Sequence, residues 1–199
     1  MLEFNKENHV YTLDGIQIPS VSEVLRFATK EIYGNTSAQA MEIAADRGTR
    51  VHAATEQLDR DGRADIDPDI EPYVRAYAKF LRDNDVRWES IEEHVVSRDE
   101  KGNGEYAGTL DRFGIVNKTW TLMDIKTTKT ITARHKKLYA TQLTAYADAI
   151  TPQFRPQFMI LQLKNNEGYE MHMVDPEEEL WKACLALHKA FTPKRRNRK

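Results

Sequence analysis

Apolar and polar residues alternate with a period of two near the start of the chain and again in its middle. Elsewhere the period is close to that of a helix. His9-Val10-Tyr11-Thr12-Leu13 reads as a strand that runs into Asp14-Gly15 and returns through Ile16-Gln17-Ile18 to Pro19. Asp-Gly between two β-rich runs is a hairpin signal, because these residues tolerate the positive φ that tight turns require. Ser20 or Ser22 then caps a short helix through about Phe27. From Ser37 to Leu58 few residues are β-branched and helix is favoured. Asp59–Asp67 is polar, contains Asp61-Gly62 and reads as a loop. Pro68 or Pro72 opens the next helix, on which Tyr73, Tyr77, Phe80 and Leu81 recur at helical spacing.

The period changes at Trp88. Trp88–Ser97, Tyr106–Val116 and Trp120–Lys126 are strand candidates, separated by the polar Arg98–Glu105 turn and the short Asn117-Lys118-Thr119 link. Ala133 to about Ile150 is helical, with Leu138, Gln142, Ala145, Tyr146 and Ala149 on one stripe, and Pro152 and Pro156 end it. Phe158–Leu163 and Tyr169–Val174 form two further strands. Pro176 starts a last helix through about Ala190, with Leu180, Cys184, Leu187 and Phe191 as its apolar face. The predicted fold is mixed α/β with one central sheet flanked by helices and an N-terminal β-hairpin.

Length bounds this further. The 199 residues suit one domain over 1–193, divided into a hairpin and short helix (1–35) and a helical segment with the core (36–193), followed by a basic tail at 194–199. One cysteine excludes a disulfide framework and any four-cysteine zinc or iron–sulfur site. The N-terminus lacks the apolar stretch of a signal peptide, and the longest apolar run, near Phe158–Leu161, is too short to span a membrane. A soluble, cytoplasmic protein is the expectation. The formal charge of −2 weighs against a protein coated in positive charge, but five basic residues crowd into Lys194–Lys199, leaving a body of about −7. Such a chain can still bind DNA through local Lys and Arg, while clustered acids hold a divalent cation.

Chemistry concentrates in the middle strands. Asp111 lies near the start of one predicted strand and Asp124 near the end of the next, so in an antiparallel pair both carboxylates meet at one edge. Their repulsion is relieved by a divalent cation, and hard oxygen ligands with open positions suit Mg²⁺ or Mn²⁺. Asp124 and Lys126 are two apart and share a face, which puts an ammonium beside the cation. There it could orient or help deprotonate an attacking water, or stabilise charge at phosphorus. The Ile125 carbonyl remains available as a ligand.

Four segments together resemble the PD-(D/E)XK nuclease superfamily, in its RecB-type and phage exonuclease branch. They are Gly48-Thr49-Arg50-Val51-His52, Gly108-Thr109-Leu110-Asp111, Asp124-Ile125-Lys126-Thr127-Thr128 and Gln142-Leu143-Thr144-Ala145-Tyr146. The opening His9-Val10-Tyr11 to Pro19-Ser20-Val21 is similar to that of phage-encoded members. The resemblance implies that Asp111, Asp124 and the Ile125 carbonyl bind one or two Mg²⁺ or Mn²⁺ ions, that His52 completes the coordination, and that Lys126 acts on the attacking water. It places Gln142 and Tyr146 at the site, contacting phosphate or supporting Lys126. Many relatives carry Glu where Asp124 stands. It also implies an acid on the preceding strand. Glu92 and Glu93 point to opposite faces, and spacing to Val95 and Ser97 favours Glu92 without deciding it. Glu56, one turn beyond His52, could orient the imidazole or lie near the metal. Gly48 costs about 1 kcal/mol inside a helix, a cost that close approach of the sheet or of a DNA backbone would explain. Thr127, Lys129 and Lys136, with Arg134 and Lys137, either track DNA phosphates or form a solvated face.

The implied activity is a metal-dependent DNA exonuclease of phage or prophage recombination and repair. The alternatives are a structure-specific endonuclease on the same core, disfavoured because no separate recognition domain is evident, and an inactive DNA-binding relative. A single-strand annealing or single-strand-binding partner and a homo-oligomer are implied by resemblance alone. The lone Cys184 excludes the cluster of the iron–sulfur members, and no phosphate-binding loop of a helicase motor occurs.

Overall fold

The computed structural model describes residues 1–34, 36–150 and 154–192. The chain opens with a three-stranded antiparallel sheet, β1 (Leu2–Asn5), β2 (Val10–Leu13) and β3 (Ile16–Ile18). The predicted hairpin is β2–β3, turning at Asp14 and Gly15 with φ of 51° and 79°. β1 is an addition. It pairs Phe4 with Tyr11, and its four residues are too few for a readable alternation. The sheet buries Tyr11, Leu13 and Ile18 against Ala107.

Ser20, not Ser22, caps α1 (Val21–Val24). Its hydroxyl accepts the Glu23 amide at 3.0 Å and Glu23 accepts the Ser20 amide at 2.7 Å, a reciprocal capping box. The helical path does not end at Phe27. A second helix, α2 (Arg26–Tyr33), follows directly. Ser37 caps α3 (Ala38–Asp61), whose end at Gly62 takes the left-handed φ of 70°. The expected loop therefore loses its first three residues to the last turn of α3. Asp59 in that turn is held by Tyr77, Trp88 and Arg112. Pro72, not Pro68, sits in the first turn of α4 (Glu71–Asp83).

The central sheet has the order β4 (Val86–Arg98), β5 (Gly104–Val116), β6 (Thr119–Lys126), β7 (Gln157–Leu163) and β8 (Tyr169–Val174). All neighbours are antiparallel except β6 and β7, which the crossover helix α5 (Ala133–Ile150) joins in parallel. The last helix is α6 (Glu178–Phe191). Consecutive residues of β6 and β7 serve opposite layers. Leu122, Phe158 and Ile160 pack with Val24, Leu143, Tyr146 and Trp181. Met123, Ile125, Met159 and Leu161 pack with Val51, Val74 and Phe80. Burial on both faces accounts for the nearly unbroken apolar runs of these strands. Each such side chain contributes about 1.5–3 kcal/mol, so the strand carrying Asp124 and Lys126 is anchored from both sides.

The mixed α/β expectation, with a central mixed sheet flanked by helices and an N-terminal antiparallel sheet, holds. Among the described residues no helix is long and apolar enough to cross a membrane. Pro152 and the 194–199 tail lie outside the described residues.

Candidate active site

Strand register builds a row of acids. The last paired rung of β5 and β6 is Arg112 with Met123, so the next position sets Asp111 opposite Asp124. On the other side, the rungs Ile91–Arg112 and Glu93–Leu110 bracket Glu92 opposite Asp111. Glu92, Asp111 and Asp124 thus lie in line across β4, β5 and β6. Asp111 sits at the middle of β5 rather than near its start, and it meets Asp124 because β6 pairs only with the second half of β5. β5 and β6 stop pairing at this row, and the Asp111 carboxylate takes over the backbone acceptor's part, receiving the Ile125 N–H at 2.6 Å. At Glu92 the backbone adopts φ of 49°. Glu92 is half-buried in the row, whereas Glu93 is exposed.

His52 approaches the row from α3. Its Nε2 is 3.2 Å from the Ile125 carbonyl, and its Nδ1 is 3.1 Å from Glu92 and 3.6 Å from Asp111. His52, Glu92 and Asp111 each offer one ligand atom within 4.8 Å of the others, so the three can hold a cation. Burial alone would lower the His52 pKa, but the Asp111 and Glu92 charges override it and raise the imidazole to about 9. Burial pushes Asp111 up to about 6. His52 opposes that shift, and Asp124 and Glu92 add to it. Burial would also raise Glu92, yet His52 and Arg112 hold it below the usual carboxylate range. At neutral pH a proton on His52 therefore occupies the place of positive charge among these acids. The Asp124 Oδ2 atom is buried and, among the described residues, has no hydrogen-bond partner. Such an orphan is uncommon and costly, and a cation ligated there would satisfy it.

The second half of the site comes from α5. Lys126 Nζ donates to Asp124 Oδ1 at 2.7 Å, lies 3.5 Å from Gln142 Oε1 and sits 4.9 Å over the Tyr139 ring. Burial opposes its charge, but Asp124 and Asp111 raise it above its ordinary value, so it is an ammonium. Gln142 donates to the Tyr146 hydroxyl at 2.9 Å. Gly108 is required by this packing, since a Cβ there would lie 2.6 Å from the Tyr146 ring.

The structure thus brings together His52, Glu92, Asp111, Asp124, Ile125, Lys126, Gln142 and Tyr146. It separates others from them. Glu56 pairs with Arg60 at 2.9 Å and is not in the cluster, and it is Glu92 that contacts the imidazole. Thr127 is buried, and Arg47 engages both its hydroxyl and its carbonyl, at 3.4 and 3.3 Å. Lys129 is exposed, and its carbonyl accepts from Gln162. Lys136 lies near Glu170 and His172, and its charge helps to lower the pKa of both. The sheet does not approach Gly48: among the described residues, nothing beyond its own stretch of helix lies within 4 Å of its Cβ position.

Arg112 escaped the sequence reading. Its fully buried guanidinium bonds to Asp59, Glu92, Thr55 and Tyr77, at 2.7 to 3.3 Å. The signal was a charged residue inside an apolar strand next to Asp111. Tyr139, whose hydroxyl meets that of Tyr33 at 2.5 Å, was missed as well. No sequence pattern marked it.

No protein-family model and no curated protein matches the chain. Among solved structures, the fold is similar to SSO0001, with 11% identity over 89% of this chain and 77% of that one and a TM-score of 0.49. It is also similar to an alkaline exonuclease from Laribacter hongkongensis, with 13% identity over 85% and 83% and a TM-score of 0.38. The functional reading therefore rests on the site's own residues.

Proposed function

We propose that the protein is a metal-dependent deoxyribonuclease, acting as an exonuclease that hydrolyses phosphodiester bonds in DNA. The observation that carries this is the buried Asp124 Oδ2, without a hydrogen-bond partner among the described residues, in a row with Asp111 and Glu92 and bordered by His52 on one side and Lys126 on the other. Asp111, Asp124 and the Ile125 carbonyl, with His52 and Glu92, would hold one or two Mg²⁺ or Mn²⁺ ions. Such an ion supplies Lewis acidity and a bound water of lowered pKa.

The chain's own groups do the rest. Lys126 stays protonated beside Asp124, which suits it to stabilise negative charge developing at phosphorus and to orient the attacking water rather than to accept its proton. Gln142 fixes the ammonium, and Tyr146 fixes Gln142. Glu92 fixes the imidazole. The motif resemblance extends the reading to phage or prophage DNA recombination and repair, with an annealing or single-strand-binding partner, and to a homo-oligomer. Thr127, Lys129 and Lys136 would then contribute at the periphery of the DNA path, not at the reacting phosphate.

Incubation of end-labelled linear and covalently closed circular DNA, with Mg²⁺ or with EDTA, tests the proposal. Linear DNA should be shortened from its ends only with Mg²⁺, and the closed circle should survive. Linearisation of the circle would move the assignment to an endonuclease.

A further inference from the structure

Two rungs along β4 and β5 from the acid row lies a second constellation that the hydrolytic chemistry does not use. His94 pairs with Thr109 across β4 and β5; His94 lies two positions after Glu92 and Thr109 two positions before Asp111, about 7 Å along the antiparallel strands. The Thr109 hydroxyl bonds to the His94 imidazole at 2.8 Å and to the Tyr11 hydroxyl at 2.7 Å. Tyr11 comes from the N-terminal sheet, and Phe4 stacks on it with ring centres 4.6 Å apart and planes at 28°. The imidazoles of His9 and His94 stand 5.1 and 4.8 Å from the Phe4 ring. Tyr11 is buried and Phe4 half-buried, while His9 and His94 are exposed. The cluster adjoins the site electrically. Burial raises the Tyr11 hydroxyl, the Thr109 bond offsets part of that, and the Glu92 charge adds to it.

Packing of the two sheets needs apolar side chains here. It does not need two solvent-facing imidazoles around a half-buried phenyl ring. His9 takes its left-handed φ of 54° as the last residue of the β1–β2 turn, and its ring there meets Phe4 edge-on. A row of π surfaces, about 7 Å from the phosphate-cleaving row, suits the base of a neighbouring nucleotide. We propose that Phe4, His9 and His94, carried on Tyr11, form a stacking platform for an unpaired nucleobase next to the scissile phosphate. The site would then select single-stranded DNA or a frayed end. The inference rests on the nuclease reading and adds its strand preference. Base stacking tolerates every base because each presents a π-face, so no sequence preference follows.

The test compares binding of a fluorescein-labelled oligothymidylate with that of an oligonucleotide of the same length made entirely of abasic sites. The protein carries Ca²⁺ in place of Mg²⁺, and Phe4→Leu and His94→Leu are measured beside the unaltered protein. The unaltered protein should bind oligothymidylate about 5- to 100-fold more tightly than the abasic chain, the range that base–aromatic stacking supplies. Each substitution should pull that ratio toward one and leave abasic affinity unchanged. A variant that merely misfolds would weaken both. A base-to-abasic ratio that is unaltered in both variants, in a protein that still cleaves DNA with Mg²⁺, overturns the platform alone. Absence of metal-dependent cleavage in the unaltered protein overturns the nuclease reading, and the platform with it.

Discussion

The Asp111 carboxylate accepts the Ile125 amide proton at 2.6 Å, at the point where β5 and β6 stop sharing backbone hydrogen bonds. One side chain therefore closes the sheet and stands in the acid row. The two roles separate by substitution. Asp111→Asn keeps an acceptor for the Ile125 N–H and should melt close to the unaltered protein. Asp111→Ala leaves that buried donor unsatisfied and should lose about 1–3 kcal/mol. Both should lack nuclease activity. Equal thermal stability of the two variants would remove the structural half of this role.

Lys126 tests the electrostatic half of the site. Lys126→Met removes the ammonium but keeps much of the stem packed over Tyr139. The expected result is a fall in kcat of about 10²–10³-fold with KM for DNA little changed, measured by steady-state digestion. A variant that cleaves at the normal rate would show that the ammonium is not used.

Acidity links the site to cation binding. In the metal-free protein His52 is raised to about 9 and Asp111 to about 6. A raised pKa means that the folded state binds its proton more tightly than the unfolded one. The Asp111 contribution to stability is thus full below about pH 4 and lost as pH rises through 6. That of His52 is full below about pH 6.5 and lost as pH rises through 9. Metal-free protein should lose thermal stability between pH 6 and 9, and Mg²⁺ should restore it. Cation binding must displace the His52 proton, so calorimetry in buffers of different ionisation enthalpy should show proton release at pH 7.5 and affinity rising with pH. A pH-independent affinity without proton release would exclude His52 from the cation site.

Arg112 supports the row from beneath. It is fully buried between Asp59 and Glu92. Arg112→Met should therefore strand two acids and cost about 3–5 kcal/mol by chemical denaturation. Gly108→Ala should also destabilise, by about 1–3 kcal/mol, because the new methyl group strikes the Tyr146 ring.

The legible parts of this protein were those with local causes. The helix over 133–150 carries its own periodicity, β6 and β7 carry nearly unbroken apolar runs, and β5 and β8 are bounded by polar turns, so their positions could be read to within a residue or two. β1 and α2 could not, because β1 has only four residues and the apolar residues of both are at most partly buried, which leaves only a weak pattern. Asp111, Asp124 and Lys126 stood out because charged residues in buried strands need a reason. The choice between Glu92 and Glu93 hung on a single positive φ that alternation cannot express. Arg112 and Tyr139 gain their places from α3, α4, β4 and α2, contacts with no trace in local spacing. Gly48 pointed to a close neighbour that is not found among the described residues.

The most direct measurement concerns Asp124, whose Oδ2 atom is buried and has no hydrogen-bond partner among the described residues. Manganese binding and digestion of end-labelled linear DNA should be measured on the unaltered protein and on Asp124→Asn, with folding checked by thermal melting. A folded Asp124→Asn that neither binds Mn²⁺ at the unaltered affinity nor digests DNA is the predicted result. Unchanged Mn²⁺ affinity and digestion in that variant would contradict a cation-dependent nuclease site built on this row of acids.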